Sequence, residues 1–198
     1  MSARDVARAI DSLRRGWPIA IRGGGAPVGL LAIETADAGR LAAFDPAGDA
    51  PILLSAGRAA TLKLANQIEA AIPDSPVLVE RTFWIDFDCA VALADPQLDM
   101  ATPMKGPFRA IPVTDRDVMA AALGLARTAG VLPAFFVGAA PADGTVTIAD
   151  IEDFEDEYVE RLDLGWLVIA ELTAAFLGEQ VERVGDVVVR VRHFARLA

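Results

Sequence analysis

The run Pro133-Ala-Phe-Phe-Val-Gly-Ala-Ala140 carries no polar side chain, so neither of its sides is marked as solvent-facing. A strand of this kind is buried on both faces and belongs inside a sheet with helices above and below. A clean helical pattern precedes it. Val118, Ala122, Leu125 and Ala129 recur at helical spacing, Thr114 or Asp115 is placed to cap the start, and Gly130 closes the end. This helix–strand unit constrains the chain to an α/β fold.

The same reading extends to the rest of the chain. Val6, Ala7, Ile10 and Leu13 mark a first helix, stopped by Gly16 and Pro18. Pro18–Arg22 and Val28–Ile33 are short buried strands joined by Gly23-Gly24-Gly25-Ala26-Pro27. A weak helix over Ala36–Phe44 leads to a strand over Pro51–Leu54, after which Ser55 caps a helix from Ala56 to about Ala65. Strands are expected at Val77–Val79 and Thr82–Asp88, a loop over Pro96–Pro107, and a turn over Pro141–Gly144. An acidic helix is expected over roughly Asp150–Leu162, then a strand at Leu167–Ile169 and a helix over Ala170–Leu177. From Val181 to Leu197, alternation around Gly185-Asp186 reads as a hairpin or edge strands. Strands alternate with helices over most of the length, which implies a mixed sheet with flanking helices.

Composition excludes several classes. The chain has 198 residues, 54% hydrophobic and 23% charged, and is long enough for a sizeable core. A net charge of −10 argues against nucleic-acid binding through a broad basic surface. The lone Cys89 rules out an internal disulfide and a cysteine zinc cluster. The opening residues mix both charge signs with apolar residues, unlike a signal peptide. The most apolar stretches, Val131–Ala142 and Trp166–Leu177, are too short to span a bilayer, and Glu171 interrupts the second. The expected location is the cytoplasm.

The segment Ala94-Asp-Pro…Lys105-Gly-Pro-Phe-Arg-Ala-Ile-Pro112, with Ala121–Val137 after it, carries a family resemblance. It is similar to the 3,4-dihydroxy-2-butanone 4-phosphate synthase-like domain that precedes the cyclohydrolase domain in alphaproteobacterial GTP cyclohydrolase II proteins of riboflavin biosynthesis. Ala9–Ile21 resembles that family's first helix and strand, while Ile151–Glu157 and Leu164–Leu177 resemble its closing elements. Residues 179–198 resemble the linker into a cyclohydrolase domain, so the resemblance divides the chain into a synthase-like domain, 1–178, and a C-terminal β tail. The Cys-rich zinc site, Tyr and Arg of a cyclohydrolase have no counterpart in the sequence, and GTP hydrolysis is not expected.

In active synthases an acidic loop follows the first strand and a His-Thr-Glu run begins the later helix. The loop Glu and the His hold the Mg²⁺ that stabilises an enediolate. Here the loop reads Arg22-Gly-Gly-Gly-Ala-Pro27, with no carboxylate before Glu34. Counting back from Leu125–Gly130 puts the His-Thr-Glu positions on Val118, Met119 and Ala120, and the family's Thr-Thr-Gly-Ile-Ser segment has no counterpart near Asp86–Ala94. The resemblance therefore implies a degenerate site, with no catalytic, cofactor-binding or metal residue to carry over.

Other candidates read as structural. Gly23–Gly25 could expose N–H groups to a phosphate, but a permissive turn is favoured. Asp86 and Asp88, two apart on an expected strand, share a face that could bind a metal but fits a solvated face better. The acids from Asp150 to Glu157 suit a helix N-terminus, and His193 sits among Arg190, Arg192 and Arg196 without partners for a triad. Cys89 reads as a small core residue, and Trp17, Trp84 and Trp166 as packing. Two functions follow. One is a non-catalytic scaffold, expected to form a homodimer or to pair with a separate GTP cyclohydrolase II. The other is an enzyme of lyase-type sugar-phosphate chemistry rebuilt around Glu34, Asp86 and Asp88.

Overall fold

The helix expected over Asp115–Ala129 forms as α5 (Arg116–Ala129), and it hands the chain to the apolar strand β6 (Ala134–Ala139) at Gly130. The structure, a computed structural model, describes residues 3–103, 105–142, 144–156, 180–184 and 187–191. Gly130 closes α5 in the left-handed conformation, φ +71°, with open space where a Cβ would go. A side chain there meets no clash but a strained backbone, so Gly130→Ala is expected to cost about 1 kcal/mol. A fall in the urea midpoint equivalent to that loss checks it; an unchanged midpoint would mean the turn relaxes freely.

Before α5 come α1 (Ala3–Arg14), β1 (Ile19–Arg22), β2 (Val28–Ala32), α2 (Ala38–Phe44), β3 (Ile52–Leu54), α3 (Ala56–Thr61), β4 (Val77–Val79), α4 (Phe87–Ala94) and β5 (Ala110–Ile111). After β6 comes β7 (Thr145–Thr147). These seven strands make one mixed sheet in the order β5-β4-β3-β6-β2-β1-β7. Neighbours run antiparallel except β1 and β7, which pair in parallel with Ala20 opposite Thr145. The strands expected over Pro51–Leu54, Pro133–Ala140, Val28–Ile33 and Pro18–Arg22 are its four contiguous members β3, β6, β2 and β1, with β6 internal as its composition requires.

Alternation along the strands divides the core between two helical layers. Leu31, Ile52, Leu54, Val77, Val79 and Phe136 pack on one side with Leu41 of α2, Ala59 of α3 and Leu93 of α4. On the other, Ile19, Leu30 and Val137 lie in register across three strands, and α1 and α5 pack together against β1 and β2. α1 buries Val6, Ala9, Ile10 and Leu13; Ala9 takes the core position expected of Ala7, which is exposed.

Several boundaries depart from the sequence pattern. No strand forms over 82–88: Asp86 caps α4, its carboxylate accepting from the Cys89 N–H at 2.8 Å, and Asp88 lies in the first helical turn. The Thr82–Asp88 alternation mimics a strand, but the helical repeat that buries Ala90, Leu93 and Ala94 prevails. Ser55 caps α3 as expected, yet the helix ends at Thr61 because Lys63 turns left-handed, φ +64°, and Leu64 enters the core. β5 and β7 lie just after the expected loop and turn, in stretches where no strand is expected. The acidic helix begins at 148, two residues early, because Thr147 and Asp150 cap it reciprocally: the Asp150 N–H donates to Thr147 Oγ1 at 3.1 Å, and that hydroxyl donates to the Asp150 carboxylate at 2.5 Å.

The chain divides into two compact units, Met1–Glu152 and Asp153–Ala198. In the second, β8 (Gln180–Val184) and β9 (Val187–Val191) form the expected antiparallel hairpin, with Val184 opposite Val187. The expected domain division at 178, the strand at Leu167–Ile169, the helix over Ala170–Leu177, Trp166 and His193 lie outside the described residues. No helix among the described residues is long and apolar enough to cross a membrane.

Candidate functional site

The two segments to which the synthase resemblance assigns the chemistry meet in space. Gly23 opens the loop after β1, and Val118 lies in the first turn of α5. A Cβ built on Gly23 would fall 2.9 Å from Val118 Cγ2 and 3.2 Å from Ile148 Cδ1. The loop backbone is thus pressed onto two aliphatic side chains, and only glycine fits. Val118 and Met119 are buried, and Ala120 is exposed on the outer side of the helix. Mg²⁺ takes oxygen ligands and retains water. A methyl-lined contact with no room for a Cβ offers neither, so the residues present do not fit that ion.

Neither do the three candidate carboxylates converge. Glu34 follows β2 and accepts the Leu132 N–H at 2.5 Å, tying together the turn that leads into β6. Asp86 follows β4, which runs in the same sense as β6, so it belongs to the opposite end of the sheet. Its carboxylate is committed to the α4 cap. Asp86 and Asp88 share no strand face, and among the described residues no three of His, Cys, Asp and Glu gather as metal ligands. Cys89 is half-buried against the core, and burial, then the Asp86 charge, push its thiol pKa up, away from a reactive thiolate. Trp17 and Trp84 are not core residues: Trp17 lies under the Arg15 guanidinium at 5.8 Å, and Trp84 stacks on Phe108.

The charged groups that the fold does assemble lie elsewhere. Arg58, on α3, is almost fully buried at the C-terminal end of α4. Its Nε donates to the Leu93 carbonyl at 2.7 Å and its Nη2 to the Ala92 carbonyl at 3.2 Å, while both Nη atoms reach the Asp99 carboxylate at 2.7 Å. Lys105 donates to the same carboxylate and to the Ala92 carbonyl. Two cations thus satisfy helix carbonyls that have no partner within the helix, and they complement its negative end. Asp99 balances one of the two charges. Hydrogen bonds from Arg58 and then Lys105 hold its carboxyl well below the usual carboxylate range.

A cleft of about 510 Å³ adjoins this cluster, walled by Lys63, Gln67, Thr102, Lys105 and the cis Gly106–Pro107 bond. The Lys105-Gly-Pro-Phe segment that carries the resemblance therefore forms one wall of the cleft. A second buried pair joins Asp45, at the end of α2, to Arg81 at 2.5 Å; Arg81 also donates to the Ile85 carbonyl and lies over the Phe136 ring at 5.3 Å. Neither cluster is marked in the sequence, because each draws its members from segments far apart. The chain matches no protein-family model, and no curated protein shows significant similarity to it.

Proposed function

We propose that this chain is a non-catalytic module on a dihydroxybutanone-phosphate-synthase-like fold, serving riboflavin biosynthesis in the cytoplasm by association. Its partners on this reading are a second copy of itself, in a homodimer, and a separate GTP cyclohydrolase II. The contact of Gly23 with Val118 carries the proposal. A loop after the first strand and the start of a later helix are adjacent, as the synthase chemistry requires, yet they meet through apolar groups. Enediolate formation needs a metal or an equivalent electrophile, together with groups that move protons. Val118, Met119 and a glycine turn supply neither. Glu34 and Asp86 are spent on backbone N–H groups at opposite ends of the sheet, which removes the support for a rebuilt carboxylate site.

Purified protein given ribulose 5-phosphate and Mg²⁺ is expected to release formate no faster than a protein-free control. Release above that control, abolished by Glu34→Ala, would overturn the reading in favour of an enzyme. Sedimentation equilibrium at micromolar concentration, with and without a cyclohydrolase, tests the association. Monomer alone in both runs would remove the scaffold role.

A further inference from the structure

Gln67 lies between the two short 3-10 turns that follow α3, Leu64–Asn66 and Ile68–Ala70, and its side chain reaches the outer edge of β5. Its Nε2 donates to the Phe108 carbonyl at 2.9 Å, and its Oε1 accepts from the Ala110 N–H at 2.7 Å. Towards the sheet, β5 is already paired: the Glu80 N–H donates to the Arg109 carbonyl at 2.9 Å, and Val79 lies opposite Ala110. Successive peptide groups along a strand point to opposite sides, so the Phe108 carbonyl and the Ala110 N–H face outward. They are groups that a strand added beside β5 would take. Pro112, the next residue whose N–H would face outward, has none. One side-chain amide therefore stands where a neighbouring strand would lie.

The edge needs such protection. Among the described residues β5 is the last strand on its side of the sheet, and an open edge is a template for another chain. Exposed apolar groups surround it. The Ile68–Ala70 turn packs against β4 and β5, and Ile68 is 86% exposed. Phe83, 99% exposed, adjoins Trp84, whose ring stacks on Phe108 with centroids 5.8 Å apart. We infer that the Gln67 amide closes the β5 edge to strand addition, and that without it a second copy of this chain adds there. A second copy is the occupant because two β5 edges about a two-fold axis present each other with the same carbonyl, the same N–H and the same apolar flank.

The test is Gln67→Met, which keeps length and volume but loses both hydrogen bonds, beside Gln67→Lys, which loses the amide but puts a charge on the edge. Gln67→Met is expected to sediment as larger, concentration-dependent species than the wild type. Gln67→Lys is expected to keep the wild-type profile. Hydrogen exchange at the Ala110 amide should run roughly tenfold faster in Gln67→Lys, and in Gln67→Met at dilutions where it is not associated, reporting loss of the capping bond itself. If Gln67→Met lacks a cooperative melt, Gln67→Asn replaces it, with an amide one methylene too short to reach the edge. A folded Gln67→Met (or the Asn that replaces it) that exchanges faster at Ala110 but sediments like the wild type would overturn the inference. The amide would then be a local tie and nothing more.

Discussion

Asp45→Ala is expected to lower stability by about 4 kcal/mol, because it strands a buried cation and the buried Ala50 N–H at once. The Asp45 side chain is 6% exposed and that of Arg81 11%. The carboxylate accepts from the N–H groups of Gly48 at 3.0 Å, Asp49 at 3.3 Å and Ala50 at 2.9 Å, besides its ion pair. Without it the guanidinium keeps one carbonyl and a ring face, and the Ala50 N–H is left buried without a partner. Much of that loss is the penalty of an uncompensated charge, so Asp45→Ala with Arg81→Leu should cost less than the sum of the single changes. Denaturant melts of the three variants measure this. A single-variant loss under about 1 kcal/mol would show that water already reaches the pair.

Arg58→Ala is the second large effect, expected at about 3 kcal/mol, since the Leu93 carbonyl loses its donor and Asp99 its bidentate partner. Arg58→Lys should recover little of it. A single ammonium cannot serve the Leu93 carbonyl and both Asp99 oxygens with the planar fork that Arg58 uses. The cluster also sets an acid dependence. The folded-state pKa of Asp99 lies below its ordinary value near 3.8, so the unfolded chain takes up the proton first as pH falls. The stabilisation from Asp99 is therefore present in full above that value and drains away as pH drops below about 4 towards the lower folded-state value. In Arg58→Ala the slope of stability against pH over that acid range should flatten. An unchanged slope would assign the acid sensitivity to other carboxylates.

The parts of this fold that could be read from the sequence are those set by local chemistry. β6 announces itself through composition, Gly130 through the helix it closes, and Ser55 through its capping position. β5 and β7 could not be read, because two or three residues carry no pattern and their existence depends on β4 and β1, far away in the chain. Thr82–Asp88 misleads because a cap and the turn before it happen to alternate. The Thr147–Asp150 cap is a local motif hidden by the run of acids that follows it. For the candidate site, the family resemblance points to the segments of Gly23 and Val118, whereas nothing near Arg58 in the sequence points to Asp99, 41 residues on.

The place of β6 in the sheet also governs the order in which the chain can fold. β6 pairs with β2 through Leu31 and Phe136 and with β3 through Ile52 and Phe136, so one late segment joins two early ones. Until residues 134–139 leave the ribosome, β1–β2 and β3–β4 are separate ribbons with no edge in common. Each then exposes apolar strand edges, Leu30-Leu31 on one and Ile52–Leu54 on the other, to any neighbouring nascent chain. High contact order of this kind slows productive folding. The interval in which a chaperone is most useful to this protein is therefore set by the time taken to translate from β3 to β6.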